Sequence, residues 1–83
     1  MKEELKKELD KINRLNIENL NIAHENSSVL NKEIIYKKIY SNLCTSLVKK
    51  SNDFGLVNDS DTEKYISDLC ISFKHLYLEL LQR

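Results

Sequence analysis

Four side chains in this chain offer sulfur or imidazole nitrogen, His24, Cys44, Cys70 and His75, and these residue types are the ones that hold zinc or act as nucleophiles. Zinc needs its ligands converging, as in CxxC or HxxxH spacings, and no two of the four stand so. Cys70 and His75 are five apart, about 140° around a helix, which points them to different sides. Both cysteines are therefore read as small core fillers, unpaired and slow to react, and both histidines as exposed or at helix ends. The series Asp59-x-Asp61-x-Glu63 imitates the opening of a calcium loop. Lys64 stands where that loop needs glycine, however, and Cys70 where it needs the bidentate glutamate. Asp53-Phe54-Gly55 spells a kinase tripeptide with no phosphate loop or catalytic loop around it. No nucleophile elbow and no glycine-rich phosphate cradle is present. The expectation is a protein that is not an enzyme, with no catalytic residues, no cofactor, no metal and no small-molecule substrate.

The elements that must position any functional surface are helices. Proline is absent and glycine occurs once, at Gly55, so little in the chain stops a helix and strand punctuation is missing. The 83 residues allow a single domain, 1–83, and a chain this short buries only about 60–65% of its unfolded surface, which makes oligomerisation or partner binding a common supplement. Apolar residues make up 41% and charged residues 31%, the balance of a globular domain. No run approaches the roughly 18 apolar residues of a membrane span. Met1-Lys2-Glu3-Glu4 is charged and lacks the apolar stretch of a secretory signal. With two cysteines only, an intracellular, cytoplasmic setting is expected.

Periodicity predicts three helices, about 2–23, 32–51 and 61–82, forming a small all-α antiparallel bundle that one chain closes alone or a dimer completes. The first carries Leu5, Leu9, Ile12, Leu20 and Ala23 on one side, with Ile12 and Leu15 continuing a stripe that wraps around the axis. Glu3/Lys7 and Asp10/Arg14 are spaced for i, i+4 pairs on its outer face. Read as heptads, its seam takes in Asn16 and Asn19, either as register-setting polar residues or simply because Asn is abundant here. The segment 24–31 loses the pattern and reads as a turn, with Asn31 as N-cap and Leu30/Ile35 at the spacing of a hydrophobic staple.

The second helix spreads Ile35, Tyr36, Ile39, Tyr40, Leu43, Cys44, Leu47 and Val48 over an arc of about 220°, which makes it the central helix, buried on two sides. Gly55 ends it, Phe54, Leu56 and Val57 plug the bundle end, and Ser60-Asp61-Thr62-Glu63 matches a capping box for the third helix. That helix places Tyr65, Ile66, Leu69, Cys70, Phe73, Leu76, Tyr77, Leu80 and Leu81 within an arc of about 160°, with Ile71 and Leu78 outside it on one line.

Charge balances at 13 basic and 13 acidic residues. Residues 32–50 are basic and 53–68 acidic, and the two blocks are expected to face and screen each other. The function expected is that of a non-enzymatic protein–protein interaction module, an adaptor, inhibitor, immunity-type protein, regulator or assembly subunit. Its partner, another protein or a second copy in an oligomer, would be bound through Ile71 and Leu78 with Tyr40, Cys44 and Val48 on the second helix. The alternative is a small helical DNA-binding transcriptional regulator. Nucleic acid is disfavoured because Lys37 and Lys38, like Lys49 and Lys50, diverge by about 100° instead of lining one face, and the aromatics sit on core faces.

Overall fold

The computed structural model describes residues 1–26, 28, 31–56 and 58–82. They form three helices, α1 (Glu3–Asn26), α2 (Lys32–Asp53) and α3 (Ser60–Leu81), with no strand among the described residues. The bundle measures 40 × 16 × 16 Å. A 22-residue helix is about 33 Å long, so helices inside a 16 Å width must lie nearly parallel to the long axis. The contacts run antiparallel from α1 to α2, through Asn16/Asn42 and His24/Tyr36, and antiparallel again from α2 to α3, through Cys44/Cys70 and Tyr40/Tyr77. The chain therefore goes up, down and up, with α2 packed on both neighbours and α1 touching α3 far less.

Each helix supplies three side chains to one core: Leu5, Leu9 and Leu20 from α1, Tyr36, Leu43 and Leu47 from α2, and Phe73, Tyr77 and Leu80 from α3. Ile12, Ile39, Leu69 and Leu76 are among the partly buried residues that close around them. Tyr40 reaches from α2 across to α3, its ring stacked on Phe73 at 6.2 Å and tilted against Tyr77 at 5.6 Å, a spacing at which aromatic pairs attract beyond their buried area. The wide apolar arc of α2 is thus divided, with one flank turned to α1 and the other to α3.

Local signals place the ends with some differences from the pattern. α1 continues three residues past position 23, because His24 is held by Tyr36, its Nδ1 2.8 Å from the phenol oxygen, and Asn26 Nδ2 donates back to the Ile22 carbonyl at 2.9 Å. Asn31 precedes α2, but its side chain makes no capping bond and its backbone is already helical, φ −102° and ψ −9°. The staple residue Leu30 and the plug residue Val57 lie outside the described residues. α2 ends as the glycine requires. Gly55 takes φ 70°, its N–H donates to Asn52 O and the Leu56 N–H to Ser51 O, both at 2.9 Å, the paired bonds that satisfy the last carbonyls of a helix. Phe54 and Leu56 then pack against the core.

The cap of α3 lies one residue before the expected capping box, and the reciprocal bond of such a box is not made, since the Asp59 N–H donates to Leu56 O. Asp59, extended at φ −74° and ψ 124°, is the N-cap of α3, and one of its carboxylate oxygens accepts from the Thr62 hydroxyl at 2.8 Å and from the Thr62 N–H at 3.0 Å. Ser60 is the first helical residue and is exposed. An Asp at the cap also puts formal negative charge at the positive end of the helix dipole, which a serine hydroxyl does not. The two bonds from Thr62, hydroxyl first, hold the Asp59 carboxyl below its ordinary pKa.

Asp10 also differs from expectation. Instead of pairing with Arg14 it accepts from the Tyr65 hydroxyl, a bond between α1 and α3 across 55 residues of sequence. That bond, with burial second, pushes the Tyr65 phenol up to about 12. Lys6 stands 6.0 Å from the centre of the Tyr65 ring, the outer limit of a cation–π contact.

Two outcomes follow from these ends. Asp59→Ala should lower the urea midpoint at pH 7 while Ser60→Ala leaves it within about 0.5 kcal/mol, the range of an exposed substitution. Because the folded Asp59 pKa is depressed, its contribution is full above the ordinary carboxylate pKa of 3.8 and is lost as pH falls through the folded value. Asp59→Asn should keep the cap and lose that acid dependence, as urea titrations from pH 7 to pH 3 would read. Tyr65 behaves oppositely. Its folded pKa is raised, so its contribution is full below 10.0 and is lost as pH climbs towards about 12. The difference in urea midpoint between the parent and Tyr65→Phe should be constant up to pH 9 and shrink between pH 10 and 12.

Candidate interaction surface

The residues expected to meet a partner separate into two groups. Tyr40 and Cys44 are occupied within the chain: Tyr40 lies on Phe73 and Tyr77, and the Cys44 thiol donates to the Cys70 sulfur at 3.1 Å. Val48, Ile71 and Leu78 are exposed at 43%, 51% and 40%. Helical geometry puts the exposed three on one side. On α2, Val48 lies about 40° beyond Cys44, measured away from the core residues Leu43 and Leu47. On α3, Ile71 and Leu78 lie about 80–100° beyond Cys70, measured away from Phe73. Since Cys44 and Cys70 meet in the seam between the helices, both displacements lead out of the bundle on the side opposite α1.

Lysines stand on the border of this face together with Glu33 and Glu63. Lys74 falls between Cys70 and Ile71 in the helical projection of α3, and Lys37 lies within about 20° of Val48 on α2. Lys37 pairs at 3.0 Å with Glu33 on its own helix and not with the acidic block of α3. Both partners are largely exposed, so the pair adds little to stability and does not bind the two blocks together.

A second set of apolar residues on α1 escapes the pattern. Leu15, read as part of a wrapping stripe, is 57% exposed, and Ile22, seven residues on, is exposed to the same extent. Leu15 and Ile17 share an open depression of about 360 Å³ with Lys11, Arg14 and Glu18, all from a single helix, so it is the shallow space between neighbouring side chains of α1. Of the two seam asparagines, Asn16 is buried, 3% exposed, with its Nδ2 donating to Ile12 O at 2.9 Å and its Oδ1 accepting from Asn42 Nδ2 at 3.0 Å, while Asn19 is exposed. Asn16 therefore ties α1 to α2 at one height. A heptad template brings both positions to the seam, and only the straight-helix period of 3.6 tells them apart.

The groups able to do chemistry are dispersed, with one exception. His24 bonds to Tyr36, His75 is exposed on α3, and no three His, Cys, Asp or Glu side chains among the described residues form a cluster able to hold a metal ion. The exception is the cysteine pair. Read from the sequence as core fillers, the two thiols are in direct contact, and both residues are partly exposed. Burial, and then the bond with Cys44, pushes the Cys70 thiol up to about 12. No helix of the described residues is long and apolar enough to cross a membrane. Comparison of the chain with protein-family models, curated proteins and solved structures found no match.

Proposed function

We propose that the chain is a non-enzymatic interaction module that binds a partner protein through the outer face of the α2/α3 pair, with Ile71, Leu78 and Val48 as its apolar contacts and Lys37 and Lys74 at its border. The observation that supports this reading is the exposure of Ile71 and Leu78, one above the other on a helix whose core face is already filled by Phe73, Tyr77 and Leu80. Among the described residues, neither Ile71 nor Leu78 packs against the core cluster. The near-parallel packing of the helices also favours lateral binding over groove reading of DNA, since a helix-turn-helix sets its two helices at about 90–120°.

Magnitudes bound the size of the contact. Burying a whole Leu or Ile contributes about 1.5–3 kcal/mol, and these two are already half covered, so sealing both adds on the order of 2 kcal/mol. Association costs about 4–15 kcal/mol, so the interface must extend to Val48 and to the lysine stems, whose methylene groups cover apolar surface. A lysine-bordered apolar strip is complementary to an amphipathic segment with acidic flanks.

The expected outcome is that Leu78→Asp and Ile71→Asp keep the helicity and melting temperature of the parent, within about 0.5 kcal/mol, and lose the complex. Molar mass in solution at two concentrations reads self-association. Photocrosslinking through Ile71→benzoylphenylalanine in the source cells reads other partners. A parent that is monomeric at both concentrations and yields no crosslinked protein overturns the reading, as does a Leu78→Asp monomer that unfolds.

A further inference from the structure

We propose that Cys44 and Cys70 form a dithiol site that is converted, reversibly and within one chain, to a disulfide joining α2 to α3. The residues are 26 positions apart and on different helices, yet their sulfurs lie 3.1 Å from each other. A disulfide bond is about 2.05 Å long, so the sulfurs have about 1 Å to close. The helices are held to each other beside the pair by Tyr40, whose ring sits on Phe73 and Tyr77 one turn away. Neither residue is fully buried, so the pair lies at the edge of the core and not at its centre.

The reactant is a low-molecular-weight disulfide of the glutathione class. Cys44 gives its proton to solvent, and attack by its sulfur on one sulfur of the reagent breaks the reagent's S–S bond, expels one thiolate and leaves Cys44 as a mixed disulfide. Cys70 then gives its proton to solvent as its sulfur attacks the Cys44 sulfur, and the second thiolate leaves. Two protein thiols are oxidised, one reagent disulfide is reduced to two thiols, and the reverse exchange restores the dithiol. Burial raises the Cys70 thiol to about 12, so its thiolate is scarce at neutral pH and the first attack belongs to Cys44. Cys70, already in contact, resolves the mixed disulfide before a second molecule of reagent arrives.

The test equilibrates the full chain at several ratios of reduced to oxidised glutathione, quenches the free thiols with an alkylating agent and reads intact mass, once under native conditions and once in urea. The expected result is a monomeric species two mass units lighter than the dithiol, carrying no glutathione. Its formation constant should be roughly 30-fold or more above that of the urea-unfolded chain, the ratio that a disulfide of ordinary stabilising strength implies. The oxidised protein should melt roughly 10 °C or more above the reduced one, and Cys44→Ser should form no such species. A native constant no greater than the unfolded one, or a native product dominated by glutathione adducts or by disulfide-linked dimers, overturns the proposal.

Discussion

A helix that is apolar around more than half its circumference has to be covered from two directions, and α2 imposes that requirement on the whole molecule. Its Leu43 and Leu47 belong to the common core, Tyr36 reaches back to His24 on α1, and Tyr40 and Cys44 turn to α3. Two helices cover those two flanks, and their own apolar faces meet in the same core. The result is a bundle organised as two antiparallel pairs sharing one member, in which α1 and α3 touch less and are joined by the bond from Tyr65 to Asp10.

Polar contacts set the heights at which these pairs lock. Leucine-rich surfaces slide past one another at small cost, whereas a buried amide left without its partner forfeits a hydrogen bond in a dry setting, about 1–3 kcal/mol. Asn16 with Asn42, His24 with Tyr36 and Tyr65 with Asp10 each join helices at a single height. Every buried side-chain nitrogen and oxygen among the described residues has a partner. The apolar arcs choose the neighbours and the polar pairs choose the register.

That division explains what could be read in advance. Three helices, the glycine-terminated end of α2 and its central position follow from composition and from the 3.6-residue period, which are properties of single segments. The cap of α3 was misplaced by one position because Asp59-x-x-Thr62 and Ser60-x-x-Glu63 overlap, both satisfying the local rule, and only backbone geometry chooses between them. Tyr65 with Asp10 and Cys44 with Cys70 were invisible for another reason. Each depends on the relative height of two helices, which no intrahelical spacing records. The exposed apolar line of Ile71 and Leu78 is legible because it is a departure from the helix's own core arc, whereas Leu15, joined to Ile12 in a wrapping stripe, lies about 60° from it around a straight helix and turns to solvent.

The up-down-up order has an electrostatic consequence. One end of the molecule gathers the amino termini of α1 and α3 beside the carboxyl terminus of α2, so the partial charges of the backbone, about +0.5, +0.5 and −0.5, leave a positive remainder there equal to that of one helix. Such an end would ordinarily attract phosphate or another anion. Here Glu3 and Glu4 occupy the first turn of α1, and Asp61 and Glu63 that of α3, with Asp59 capping it. The chain supplies its own anions to that end.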